Sequence, residues 1–267
     1  MRQPNKITLG SPEVKLRAKL KEAEKEISKL KDGYEKILKE IDKFRLNEVY
    51  ARTLIHELKN INRDLKFDTD DLDFDKMTPE EKNLWSQSNL LSIVMNTYGY
   101  QYNQEVDKSV FKRQIPLYKK VDKLRRCYNY RRNSDFNIQI SGKSTKSFHS
   151  SDIVEVLFFI LIENARKYSL KKERLYIDFN EYDSIIEISF KNKCILPAND
   201  EIPHLTELNY RGINKTNEGN GIGLFTFASI CQSNGIEYEI STEEDAYSFN
   251  KEPIGYFIVS LRFKDCR

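Results

Sequence analysis

Leu161-Ile162-Glu163-Asn164-Ala165-Arg166-Lys167-Tyr168-Ser169 closes an apolar run, Val154 to Ile162, with a cluster of amide, charge and aromatic ring. The spacing predicts a helix over about 151–169, with Ser150 or Ser151 able to cap it. On a helix, Asn164, Lys167 and Tyr168 share one face, because they stand three and four residues apart. That face offers an amide oxygen for a hydrated Mg²⁺, a cation for phosphate and an aromatic ring for a base. An ordinary helix C-terminus that leaves the core at Glu163 has the same composition, so this stretch needs company before it means a site.

On both sides of it the chain alternates like strands. Phe136, Ile138 and Ile140 do so, as do Leu175, Ile177 and Phe179, then Ile186, Ile188 and Phe190, then Phe257, Val259, Leu261 and Phe263. A second helix-like stretch covers about 222–234. Strands mixed with helices predict an α/β layered domain over 133–267 with helices on one sheet face. Just before that second helix stand Glu218-Gly219-Asn220-Gly221-Ile222-Gly223-Leu224. Glycines let backbone approach phosphate oxygens without a Cβ clash, and a helix N-terminus beyond them supplies amide donors. A flexible loop explains three glycines equally well.

Residues 12–66 carry a different texture. Leu20, Ile27, Tyr34, Ile41, Glu48, Ile55 and Asn62 repeat every seven residues, with Ala23, Leu30, Ile37, Phe44, Ala51, Leu58 and Leu65 as the partner position. This predicts a coiled coil or a bundle seam. Gly33 is its weak spot, costing about 1 kcal/mol against Ala. Thr78-Pro79 reads as a helix start, with helices expected to about Tyr98 and from about Asp107 to Tyr130, the latter interrupted at Pro116. Two such hairpins from two chains make a four-helix bundle. Within this region lies Ala51-Arg52-Thr53-Leu54-Ile55-His56-Glu57-Leu58-Lys59-Asn60, where His56 sits beside the seam and points to solvent. An exposed neutral imidazole is a competent nucleophile for a phosphoryl group, and Glu57 can polarise it or take its proton. His149 and His204 read as surface residues.

Composition narrows the classes. The chain has 267 residues and a net charge of +3 from 44 basic and 41 acidic side chains, a balance with no electrostatic footprint for nucleic acid. The four cysteines are far apart, which argues against a metal or disulfide framework and for reduced thiols in the cytoplasm. No apolar run reaches the ~20 residues of a membrane span, and the first ten residues lack a signal-peptide apolar core.

Three segments together resemble one family, the sensor histidine kinases of the GHKL superfamily. His56-Glu57-Leu58-Lys59-Asn60 resembles their H-box, Glu163 to Ser169 their N-box, and Gly219 to Leu224 their G2 box. The resemblance covers roughly residues 45–263. It implies an α+β chain: a signalling helix over 1–45, dimerisation and phosphotransfer helices over 46–132, and a Bergerat-fold ATP-binding domain over 133–267. By position, His56 would be the phospho-acceptor, Glu57 its acid/base neighbour, and Asn60 a residue that positions water. Asn164 would hold Mg²⁺, Lys167 would contact phosphate, and Tyr168 would lie along the adenine. Gly219, Gly221 and Gly223, with Leu224 after them, would form the lid over the phosphates of ATP. Asn192, in the place of the G1 box, would replace an adenine-reading Asp and still offer an acceptor oxygen. The partners implied are a second copy of the chain and the receiver domain of a response regulator.

The boxes also depart from the pattern. Ile160 stands where the N-box carries a second Asn, Cys194 where the G1 box carries glycine, and Ile61 where a proline often follows the H-box Asn. The glycines near the last strand are reduced to Gly255. An Ile supports no metal or water chemistry. Two further readings therefore stand beside the histidine kinase: a nucleotide-binding regulatory scaffold without transfer, and a GHKL kinase acting on Ser or Thr of a partner.

Overall fold

The computed structural model describes residues 53–63, 66, 73–102, 112–130, 135–212, 221–249 and 252–267; apart from residues 53 and 54, these lie in one compact unit, Ile55–Arg267. The expected coiled coil over 1–45 lies outside the described residues, as do Gly219 and Asn220 of the glycine segment. In chain order the elements are helix α1 (53–63), α2 (Pro79–Tyr102), β1 (Arg113–Pro116), α3 (Leu117–Asn129), β2 (Asn137–Ser141), β3 (Ser147–Ser150) and α4 (Ile153–Tyr168). There follow β4 (Arg174–Tyr182), β5 (Ile185–Ile195), a 3₁₀ turn (Ile202–His204), α5 (Gly223–Asn234), β6 (Glu237–Phe249) and β7 (Glu252–Phe263).

Five strands make one mixed sheet in the order β2-β4-β5-β7-β6, with β2 and β4 parallel and every other pair antiparallel. β5 is its centre, and its side chains alternate strictly between buried and half-buried. That period-two burial is what a strand with one face on a core requires. Against the inner face lies α4, where every residue from Val154 to Ile162 is buried. A helix apolar on all sides belongs inside a domain, and α4 has α2, α3 and α5 around it and the sheet beneath. Phe158 stacks on Phe190 with ring centroids 6.1 Å apart, joining helix to sheet. The fold is thus mixed α+β, with the strands expected at 136–140, 175–179, 186–190 and 257–263 present as β2, β4, β5 and β7.

Other expectations are corrected. Of the stretch expected as helix from about Asp107 to Tyr130 with an interruption at Pro116, the described part before the proline is a strand, and the helix runs from Leu117. Proline disfavours helical backbone in the residue before it, so Ile115 is extended, and Arg113–Pro116 pairs with β3 as a two-stranded ladder. Asp152 is the cap residue of α4 and makes no side-chain cap bond, its carboxylate being paired with Arg113 and Lys120, while Ser150 Oγ donates to Asn234 Oδ1 at 2.9 Å. β6 lacks an apolar alternation because it is an edge strand whose glutamates meet water.

At the start of α2, Thr78 and Glu81 form a reciprocal capping box: the Thr78 N–H donates to Glu81 Oε2 at 2.7 Å and the Glu81 N–H to Thr78 Oγ1 at 3.2 Å. α1 is tied to α2 by one buried amide. Asn62 Nδ2 donates to the Ser88 carbonyl at 2.9 Å and to Ser92 Oγ at 2.7 Å, while Ser88 Oγ donates to Asn62 Oδ1 at 2.9 Å. A polar side chain this buried is tolerated only when its bonds are made, and these bonds exist in one register.

Candidate functional site

α4 ends where β5 holds it. The Leu170 N–H donates to the Lys193 carbonyl at 2.9 Å, Ser169 bridges Cys194, and Asn192 Nδ2 donates to Ser169 Oγ at 3.2 Å. These bonds bring the N-box end and the G1-like stretch together, although more than twenty residues separate Asn164 from Asn192. On the opposite side of α4 the buried Tyr128 hydroxyl of α3 donates to Glu163 Oε1 at 2.5 Å, and Arg166 pairs with the same carboxylate at 2.8 Å. Burial works against the charge on Glu163, but Arg166 and Tyr128 outweigh it and hold its pKa below the ordinary value. The turn that carries Asn164 is thereby fixed from both sides.

A cavity of about 700 Å³ opens beside this helix end. Asn164, Lys167 and Tyr168 line it, with Asn192 on its sheet side and Gly221, Gly223 and Leu224 across from them. The structure therefore brings the described members of the N-box, the G1-like stretch and the glycine segment onto one space. Asn164 and Asn192 are partly or wholly buried, whereas Lys167 and Tyr168 are exposed at the rim.

Gly221 is there for a steric reason. Its φ is +67°, and a Cβ at that position would lie 2.6 Å from the Tyr210 carbonyl oxygen and 2.7 Å from the Asn209 carbonyl carbon. Only glycine passes so close to another backbone in that conformation. Gly223 opens α5, and a Cβ on it would meet Ile160 Cγ2 at 3.8 Å, an ordinary contact. Ile160 thus fills the gap between the Asn164 helix and the glycine turn with hydrocarbon.

His56 and Glu57 are exposed on α1, and neither is among the residues that line the cavity. The Asn60 amide nitrogen lies 3.4 Å from His56 Nδ1. Which amide atom faces the ring is an assignment, so the reverse orientation, with the oxygen accepting from Nδ1–H, serves equally.

Sequence reasoning missed two walls. The loop after β5 supplies Glu201, Tyr210, Arg211 and Gly212. Glu201 is buried and holds this loop in shape, accepting from the Ala198 N–H at 3.0 Å and from the Tyr210 hydroxyl at 3.2 Å. The cluster Pro197-Ala198-Asn199-Asp200 marks a turn but gives no sign of which carboxylate organises it. The second missed wall is α2, through Val94, Thr97 and Tyr98.

The residues fit a nucleotide with a hard cation. Among the described residues no group of His, Cys, Asp and Glu can hold a metal alone. Asn164 supplies one oxygen, which suits Mg²⁺, an ion that keeps waters and takes most other ligands from phosphates. All four thiols are buried, and burial pushes Cys194 up to about 11 and Cys127 up to about 12, so neither is a ready thiolate ligand. No helix among the described residues is long and apolar enough to cross a membrane.

No family model matches the chain, and no curated protein matches it. Among solved structures it is similar to the mycobacterial sensor histidine kinase MprB, at 14% identity and a TM-score of 0.43, over 56% of this chain and 93% of that one. It is similar to the Acinetobacter baumannii histidine kinase AdeS at 13% identity and a TM-score of 0.40, over 80% of this chain and 95% of that one. Full-length ShkA, solved with AMPPNP, gives 13% identity and a TM-score of 0.44 over 80% and 46%. On its own topology the described domain is a mixed α/β layer whose Asn164 helix and Gly221 turn lie on two sides of one cavity.

Proposed function

We propose that the chain is an ATP-dependent protein histidine kinase that phosphorylates His56 and passes the phosphoryl group to an aspartate of a response regulator. One observation carries the reading: Asn164 and the Gly221–Gly223 turn line the same cavity, whose volume of about 700 Å³ suits a nucleotide. Asn192 would accept from the adenine amino group, and Tyr168 would cover the ring. Lys167 would neutralise phosphate charge, and the backbone at Gly221 would donate to phosphate oxygens. Asn164 would hold Mg²⁺, whose charge would offset that of the phosphates.

In the transfer, the lone pair on His56 Nε2 forms the bond to the γ-phosphorus. The bond from that phosphorus to the bridging oxygen breaks, and its electron pair leaves with ADP. The proton on Nδ1 passes to Glu57 or to solvent, with the Asn60 amide oxygen holding the ring in that tautomer. Such reactions are driven mainly by positioning and charge neutralisation.

A homodimer fits the exposed face of the hairpin. Leu84, Leu91 and Tyr98 of α2 recur every seven residues and are 44%, 37% and 50% exposed, a seam left without cover in the single chain.

Incubation with labelled ATP is expected to give acid-labile, base-stable label on the wild-type chain and none on His56→Ala. Equal label on His56→Ala would overturn the assignment. Ile160 favours a second reading, a nucleotide-binding scaffold: it denies the cavity a second amide ligand. ATP binding without phosphohistidine would select it.

A further inference from the structure

Among the described residues, two carboxylates line the cavity, Glu163 and Glu201. Glu163 is spent on Tyr128 and Arg166. A carboxylate beside phosphate groups repels them, so Glu201 needs another reason to stand there. What its oxygens hold supplies that reason. Oε2 accepts from the Ala198 N–H at 3.0 Å, and Oε1 accepts from the Tyr210 hydroxyl at 3.2 Å. The main chain around this buried residue is tied down as well. The Leu196 N–H donates to the Pro253 carbonyl of β7, the Glu201 N–H to the Ala198 carbonyl, and the His204 N–H to the Glu201 carbonyl, each at 2.9 Å. Glu201 is thus an arm based on the sheet that reaches to the loop.

The arm ends on residues 209–212. A Cβ on Gly212 would stand 3.1 Å from Glu201 Oε1, so the backbone there lies directly against the carboxylate. The same segment carries the Gly221 turn: a Cβ on Gly221 would stand 2.6 Å from the Tyr210 carbonyl oxygen and 2.7 Å from the Asn209 carbonyl carbon. Two contacts therefore lead from the Glu201 carboxylate to the glycine turn, one through the hydroxyl and backbone of Tyr210, the other through Gly212. Glu201, Tyr210, Gly212 and Gly221 all line the cavity.

We infer that Glu201 is a positioning residue for the triphosphate: through Tyr210 and Gly212 it sets the place of the Gly221 turn, and so of the backbone that meets the phosphates. This rests on the nucleotide-binding part of the reading above. The role asks for two acceptors on one short side chain, which a carboxylate supplies. With both oxygens engaged on loop donors, the carboxylate is turned to the loop and away from the phosphates it would repel. The arm acts on the turn and not on the apolar floor of Phe190, Phe257 and Val259, so it governs binding of the phosphate chain and not of the base.

Calorimetric titration of ATP and of AMP, each with Mg²⁺, into full-length variants tests this. Glu201→Ala is expected to lose roughly 10-fold in ATP affinity and less than about 2-fold in AMP affinity. Glu201→Gln is expected to stay within about 3-fold of wild type for both. Its amide oxygen accepts from the Ala198 N–H while its NH₂ donates to the Tyr210 hydroxyl oxygen, so both contacts survive. Tyr210→Phe removes one of the two bonds and is expected to lose ATP affinity while keeping AMP affinity. Equal losses of ATP and AMP on Glu201→Ala would overturn the inference, since a residue that only shapes the loop does not tell the two apart. Glu201→Gln as damaging as Glu201→Ala would overturn it too. Should Glu201→Ala not fold, Tyr210→Phe decides, and an unchanged preference for ATP over AMP overturns the inference. Wild type that binds neither nucleotide, or ATP no better than AMP, would instead sink the nucleotide reading itself, so the two failures are distinct.

Discussion

Gly221→Ala is expected to weaken nucleotide binding, lowering ATP affinity on the order of 100-fold, about 2.7 kcal/mol. Two costs fall on the same atom. An alanine in the left-handed region costs roughly 1–2 kcal/mol. Its Cβ would also stand 2.6 Å from the Tyr210 carbonyl oxygen, an overlap with backbone that no rotamer relieves. The loop carrying Tyr210, Arg211 and Gly212 must then retreat, and the cavity loses that wall. Gly235 provides the control. Its φ is +65°, almost the same, but a Cβ there meets nothing within 4 Å. Gly235→Ala should therefore lose only the roughly 1–2 kcal/mol of stability that the left-handed backbone costs and bind ATP as the wild type does. Calorimetric titration and thermal melts on both variants separate the two. Equal effects would mean that the close approach at Gly221 is unimportant.

Glu155→Gln is expected to destabilise the domain by about 2–3 kcal/mol at pH 7 while leaving the cavity residues in place. Glu155 is buried in α4, with Lys123 Nζ at 2.6 Å from one carboxylate oxygen and Lys120 Nζ at 2.8 Å from the other. Removing the charge leaves Lys123 without its carboxylate partner and Lys120 with Asp152 alone, 3.0 Å away. Both lysines keep some exposure and can turn partly outward, which keeps the loss at the low end for a broken buried pair. The pH dependence has a definite sign. Burial raises the Glu155 pKa, but Lys123 and Lys120 outweigh it, and the folded value lies below 4.5. A depressed folded pKa gives stability that is present above 4.5 and lost as pH falls through the folded value. Denaturant melts should therefore show a wild-type advantage over Glu155→Gln at pH 7 that shrinks below pH 4.5. An advantage independent of pH would show that packing, not charge, holds α3 to α4.

The site was legible in sequence where chemistry and helical spacing coincide. Asn164, Lys167 and Tyr168 declare themselves because three and four residues on a helix share a face, and the chain places them at one cavity. The four expected strands were legible for the same reason, as period-two burial in β5 shows. β1 was not, because Pro116 breaks a helical pattern locally while the pairing that replaces it comes from residues 147–150, far along the chain. Glu201 was hidden because its partners, the Ala198 amide and the Tyr210 hydroxyl, are brought to it only by the folded loop. The α2 wall was hidden as well. An apolar seam says that a helix packs, and Thr97 and Tyr98 give no sign that they face a cavity of the α/β layer. Asn62 looked like one polar seam position among apolar ones. Its meaning lies in Ser88 and Ser92, which a heptad pattern does not name.

The central claim is that the Asn164 amide and the Gly221 turn act on the same triphosphate. Calorimetric titration of ATP and of AMP, each with Mg²⁺, into wild type, Asn164→Ala, Gly221→Ala and the double variant tests it directly. Wild type should prefer ATP, each single variant should lose most of that preference, and the double variant should lose little more than either, as groups acting on one ligand are not additive. If Asn164→Ala keeps the full preference for ATP over AMP, or if the two losses simply add, the two segments do not share a triphosphate and the account fails.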